Sequence, residues 1–212
     1  MLQKNRKIIL SIFIIDVVIV LLHILFGKVN DFYNLDKEYN LPSFYSAIKL
    51  ISIGAISFVI FIFAKKKLVR KKWQEIYSWI ALGLLFIYLG FDEFFTIHEK
   101  TIGYLNPALL VKLGWFSNHV FYWVMLFLPF IILALVLFYY FIKTILTRFH
   151  LVRIFFIVGA SFFALVIFSE FLGGFMEGNV GYVIMTLEES FEIFGASSFL
   201  AGSFIYFKQD NV

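Results

Sequence analysis

Apolar residues run in six long blocks along the chain, at 8–26, 44–64, 76–98, 119–142, 154–173 and 182–206, with short polar stretches between them. A hydrocarbon core about 30 Å thick takes about 20 residues of helix, so each block is long enough to cross a bilayer. The expected fold is all-α: a polytopic membrane protein, one integral-membrane domain over 1–212, built as a six-transmembrane-helix bundle. Glycines at 173, 174, 178 and 181 mark the fifth-to-sixth connection as a turn. The first block follows Lys4, Arg6 and Lys7, as a signal peptide's would. It is longer than such a region and no small-x-small site follows it, so it is expected to stay as a helix that also directs insertion.

Basic residues set the expected orientation. Thirteen of the eighteen Lys and Arg residues precede the first block, fill 65–72, lie at Lys143, Arg148 and Arg153, or follow the sixth block at Lys208. Short loops rich in Lys and Arg stay on the cytoplasmic side. Both termini are therefore expected inside, in a cell (inner) membrane, with 27–43, 100–118 and the glycine turn outside. FDEFF (91–95) resembles LEESF (187–191), which invites an inverted repeat. Asp92 lies about 16 residues into a helix entering from inside, whereas Glu188 lies about 6 into one entering from outside. An inverted repeat would place them at opposite depths, so the likeness is read as coincidence.

Composition narrows the classes. At 62% hydrophobic and 15% charged, the chain is no ordinary soluble domain. It has no cysteine, hence no disulfide framework and no thiolate metal site. The net charge of +4 comes from loops that serve topology, so no nucleic-acid partner is expected; the bilayer is the expected surrounding.

Eight of the fourteen acidic residues lie in or beside three blocks: Asp92, Glu93 and Glu99; Glu170 and Glu177; Glu188, Glu189 and Glu192. A carboxylate inside a bilayer costs about 2.5–3.5 kcal/mol, so such residues are paired or functional. At 1.5 Å per residue, Asp92, Glu93, Glu188 and Glu189 fall about 8–10 Å below the outer surface, Glu192 about 15 Å, and Glu170 and His23 about 5 Å. His98, Glu99, His119 and Glu177 fall at the rim. Five helices thus contribute to one outer-leaflet layer. Glu188, Glu189 and Glu192 share a helical face with Gly195, where a neighbour can come close; Asp92, Thr96 and Glu99 share another.

These carboxylates must share protons or hold a cation. Lys100 and Lys49, the latter read as snorkelling, are too few to neutralise them. Carboxylates with imidazoles suit Zn, Fe or Mn better than a hard-cation cage. The expected ligands of this divalent metal are Asp92, His98, Glu99, His119, Glu170, Glu188 and Glu192, then His23, with Glu189 or Glu93 as general base. Plainer readings attach to several residues. Glu177 and Glu99 fit solvated helix ends, His23 fits an interfacial hydrogen bond, His150 fits a structural loop residue, and Asp16 fits a helix–helix hydrogen bond. The Phe, Trp and Tyr residues fit lipid-facing bulk and interface anchors. In the polar segment 34–42, Asp36 and Glu38 would either lie over the acidic layer as a lid or simply be solvated.

NLDKEYNLPSFYS (34–46), FDEFFTIHE (91–99) and TLEESFEIFG (186–195) together resemble a group of uncharacterised bacterial multi-pass proteins. That group carries an acidic loop ending in Asn-x-Pro, an Asp-Glu…His-Glu helix and a Glu-Glu-x-x-Glu helix; the resemblance implies no activity. Absent motifs exclude more. There is no His-Glu-x-x-His of zincins, no Glu-x-x-His of di-iron bundles, and no lysine in the sixth block for a retinal Schiff base. The expected function is a membrane-embedded metalloenzyme acting on a lipid or other membrane-soluble molecule. A proton- or cation-coupled transporter or channel is the first alternative, opposed by the sparse polar residues in the inner halves of the blocks. A non-catalytic sensor or assembly subunit is the second.

Overall fold

A computed structural model describes residues 2–37, 39–66, 73–97, 100, 119–144, 149–173, 175–176 and 178–210. Six α-helices make up nearly all of it: α1 Leu2–Phe26, α2 Leu41–Lys66, α3 Trp73–Phe95, α4 His119–Thr144, α5 His150–Gly173 and α6 Gly178–Asp210. A 3-10 turn at Asp31–Tyr33 interrupts the link between α1 and α2, and no strand occurs among the described residues. Most helices overrun their apolar blocks by several residues. The apolar block marks only the part that lipid requires, and a helix with open ends keeps adding hydrogen bonds beyond it.

Among the described residues, five helices are long and apolar enough to cross a membrane: Arg6–Phe26, Leu41–Lys65, Tyr77–Phe95, His150–Gly173 and Gly178–Gln209. Among the described residues, α4 adds a shorter apolar stretch, Ile131–Lys143. Pro129 lies inside that helix, where its ring removes one backbone hydrogen bond.

α6 is the central helix, packed against α5, α2 and α1, while α2 also packs on α3, and α4 touches α3 and α5. Ile193, Ala196, Ser197, Ser198, Ala201 and Tyr206 of α6 are all buried. By contrast, Leu10, Ile14, Val17, Leu21 and Ile24 of α1 stay exposed, as expected of a surface turned to lipid. α2 and α3 meet at two glycines: a Cβ on Gly54 would lie 2.9 Å from the Gly83 carbonyl oxygen, and one on Gly83 would lie 3.3 Å from the Gly54 carbonyl. Such close backbone approach is how membrane helices gain packing without a hydrophobic drive.

Two ends result. Where α1, α3 and α5 finish and α2 and α6 begin, the helices carry His23, Asp92, Glu93, Glu170, Glu188 and Glu189. Lys65, Lys143, Arg153 and Lys208 gather at the other end. Toward this basic end lies the apolar core. Trp79 meets Tyr206 at 4.5 Å and Phe141 at 4.9 Å between ring centroids, and Phe156 meets Phe141 at 5.0 Å and Phe199 at 5.4 Å.

Candidate functional site

An ion pair lies buried at mid-span. Asp16 of α1 is fully buried and Lys49 of α2 is 4% exposed, and their charged atoms lie 3.1 Å apart. Lys49 Nζ also donates to the Ile193 carbonyl at 2.7 Å and to Ser197 Oγ at 3.1 Å, both on α6. An ammonium has three N–H donors, and all three are used. Tyr45 OH donates to the same Asp16 Oδ1 at 2.7 Å, and Lys49 Nζ lies 4.3 Å from the centre of the Tyr45 ring. Asp16 Oδ2, equally buried, has no hydrogen-bond partner among the described residues. The charges of Glu192 on α6 and Glu93 on α3 reach Lys49 as well.

Lys49 therefore does not snorkel toward an interface. Its stem runs between α1 and α6, and its head is satisfied where it lies. A signal for this was present: Asp16 lies about 15 Å from the end of α1, and Lys49 about 12 Å from the start of α2, at 1.5 Å per residue. Two opposite charges at one depth in neighbouring spans are a pair in waiting.

His23, one layer nearer the acidic end, is also fully buried. Its Nδ1 accepts the Leu35 backbone N–H at 3.0 Å. That bond fixes the tautomer, so Nε2 carries the proton; it faces Thr186 Oγ1 at 3.1 Å and Tyr182 OH at 3.0 Å. In this arrangement neither nitrogen keeps a free lone pair for a metal. His23 instead ties α1 to α6 and to the 27–40 connection.

That connection is plugged by Leu35, which packs with Ile19, Ile193 and Tyr45. Asp36, the lid residue expected from the sequence, is exposed, and Glu38 lies outside the described residues. Asn40 starts α2 with a reciprocal cap: its Oδ1 accepts the Ser43 N–H at 3.2 Å, and its own N–H donates to Ser43 Oγ at 3.1 Å. Lys100 Nζ donates to the Phe95 carbonyl at 2.7 Å and to Tyr39 OH at 3.1 Å. It thereby closes the end of α3 and joins it to the same connection. Thr96 and Tyr39 are the two non-glycine residues described with left-handed backbone, at φ 51° and 57°; the Thr96 carbonyl accepts the Lys100 backbone N–H at 3.0 Å, and Tyr39 OH meets Lys100 Nζ.

The acids are brought to one end but not into one cage. Asp92, Glu93, Glu170, Glu188, Glu189 and Glu192 are each partly buried. Gly195 takes the close approach expected of it, from α5: a Cβ there would lie 2.8 Å from the Phe163 ring. Among the described residues, no three His, Asp or Glu side chains come together in a way that holds a metal ion. His98, Glu99 and Glu177 lie outside the described residues. His119 opens α4, and its side chain lies outside them too. The metal expectation thus turns on His98, Glu99 and His119.

Chemically, the arrangement offers a layer of carboxylates from α3, α5 and α6 above a buried ammonium–carboxylate pair. Carboxylates in such a layer can share protons or hold a cation, while the pair beneath them is already matched in charge. No curated protein and no solved structure matches the chain. One family model does, a domain of unknown function (DUF8692), over residues 11–207. Its span takes in Asp16, Lys49 and all of the acidic layer, and the chain belongs to that family.

Proposed function

We propose that the protein is a six-span integral membrane protein of the cell membrane, with both termini cytoplasmic, and that it couples to the movement of protons or another cation. The single observation that carries this reading is the Asp16–Lys49 pair, buried at mid-span and within electrostatic reach of Glu192 and Glu93. Ionisable residues held inside a bilayer mark ion pathways and proton relays, and coupling sites lie near the midplane. The pair supplies the depth that the outer acids alone lack. Purified protein in liposomes tests it: a pH gradient or a membrane potential drives cation or proton flux, and Asp16→Asn and Lys49→Met abolish that flux while remaining folded. Wild-type protein that carries no flux under either gradient overturns the reading.

A second reading is a membrane-embedded metalloenzyme acting on a lipid or other membrane-soluble substrate. It is favoured by carboxylates on three helices meeting at the end where His119 opens α4. Zn, Fe or Mn would be held by Asp92, Glu99, Glu170, Glu188 and Glu192 with His98 and His119, leaving Glu189 or Glu93 as base. Metal analysis of detergent-purified protein decides: a stoichiometric metal lost in Glu188→Ala and Asp92→Ala supports it, and metal-free protein sinks it.

A further inference from the structure

We infer that the 27–40 connection is a gate over the Asp16–Lys49 pair, with Leu35 as the side chain that closes it and His23 as the latch. The inference deepens the transport reading by naming what keeps water and small cations from the pair. It rests on that reading for its purpose, but not for its geometry. Leu35 is the point where the connection turns inward. It is buried, whereas Asp36 and Lys37 beside it are exposed, so the solvent boundary passes at this residue. Beneath it lie Ile19, Ile193 and Tyr45. Two of these hold the pair themselves: Tyr45 OH donates to Asp16 Oδ1 at 2.7 Å, and the Ile193 carbonyl accepts from Lys49 Nζ at 2.7 Å. One leucine side chain therefore separates the solvated surface of the acidic end from groups that ligate a buried ion pair.

The latch is a single hydrogen bond with a steric requirement. His23 Nδ1 accepts the Leu35 backbone N–H at 3.0 Å, and the ring is itself held by Thr186 and Tyr182 of α6. A Cβ on Gly27 would collide with that same Nδ1 atom, so the ring reaches Leu35 only because residue 27 is glycine. At the far end, Asn40 holds the connection through the Asp31 and Asn34 carbonyls. Between these anchors the regular structure is one 3-10 turn, Asp31–Tyr33. An irregular segment fixed at both ends and inserted by one apolar side chain opens at less cost than the helices beneath it. Such segments serve as lids that admit a ligand and then exclude water again. Opening here bares Tyr45 and the Ile193 carbonyl, and with them the pair, without moving any transmembrane helix.

Thiol accessibility on full-length protein in lipid nanodiscs tests the gate without a transport assay. The chain has no cysteine, so Ile19→Cys places a lone reporter beneath Leu35. A charged methanethiosulfonate, which travels only through water, reads its exposure. The reporter is expected to react slowly in the otherwise unchanged chain, and about tenfold faster or more once Leu35→Ala or Gly27→Ala is added. Gly27→Ala leaves Leu35, Ile193 and Tyr45 in place, so it decides if Leu35→Ala does not fold. Ser57→Cys, fully buried toward the basic end, is the control and is expected to stay unreactive in every variant. Rates that ignore both substitutions overturn the gate, and so does an Ile19→Cys thiol that reacts as fast as Asp36→Cys. Faster reaction at Ile19→Cys and Ser57→Cys together also overturns it, because the whole bundle would then be loosened. Flux with no change at the Ile19→Cys reporter leaves transport standing and removes the gate; a gated reporter in a protein without flux keeps the gate and removes transport.

Discussion

The two halves of the bundle are held by different forces. Toward the basic end, helices meet through ring edges and glycines: Trp79, Phe141, Phe156, Phe199 and Tyr206 interlock, and Gly54 faces Gly83. Hydroxyls there turn back on their own helix, Ser57 to the Ile53 carbonyl and Ser198 to the Phe194 carbonyl. Trp79 Nε1 and Ser203 Oγ go without a partner among the described residues, a cost accepted for shape. Toward the acidic end, polar bonds cross between helices: His23 to Thr186, Tyr45 to Asp16, Lys49 to Ser197. Lipid is as apolar as any side chain, so neither half is driven together by exclusion of water. Packing sets one geometry and keeps it. A polar contact can be changed by one proton or one cation, so the half built on polar contacts is the half able to switch.

Breaking the packed half should cost most. Trp79→Ala empties a fully buried site ringed by three aromatic residues and is expected to destabilise by about 4 kcal/mol. Denaturation in mixed detergent measures this. The comparison requires that the folded fraction keep the Leu35 amide, bonded to His23 at the acidic end, as slow in hydrogen exchange as in the wild type; faster exchange there would mean the halves are not separable. Lys49→Met should come next, at about 3 kcal/mol, because it leaves a buried carboxylate uncompensated. The double variant Asp16→Asn/Lys49→Met removes both charges and should regain most of that loss. A double variant no more stable than the single one would show that Lys49 contributes through its stem and not through the pair.

This contrast follows how much of the molecule was legible in the sequence. The helices were legible because lipid demands about 20 apolar residues per crossing and the blocks declare themselves. The acidic end was legible because chain reversal carries Asp92, Glu170 and Glu188 to one side whatever the packing. Depth follows from counting, but rotation does not. Asp16 and Lys49 face each other only because of how α1, α2 and α6 turn about their axes, which packing decides. The partner of His23 was further out of reach, since it is the backbone amide of Leu35 in an irregular connection that carries no periodicity.

His23→Phe sharpens the polar side of the comparison. It fills the same space but abandons the Leu35 amide and the Thr186 and Tyr182 hydroxyls, costing about 2 kcal/mol. The loss should be local, seen as faster hydrogen exchange at the Leu35 amide with little change in global denaturation. Uniform loss across α1 and α6 would instead make His23 part of the packing.

The smallest effect separates two jobs of one residue. Asn40 caps α2 through Oδ1, and its Nδ2 donates to the Asp31 carbonyl at 3.0 Å and to the Asn34 carbonyl. Asn40→Asp keeps the capping oxygen, and a negative charge at a helix start is favourable. It cannot donate, so the two carbonyls of the 27–40 connection lose their shared anchor. The expected cost is about 1 kcal/mol, confined to that connection, whereas Ser57→Ala at the other end, which removes only a bond within α2, should stay within about 0.5 kcal/mol. Thermal unfolding in detergent ranks the two. If Ser57→Ala costs as much as Asn40→Asp, polar bonds within a helix matter as much here as those between segments, and the division of the bundle into a fixed half and a switchable half fails.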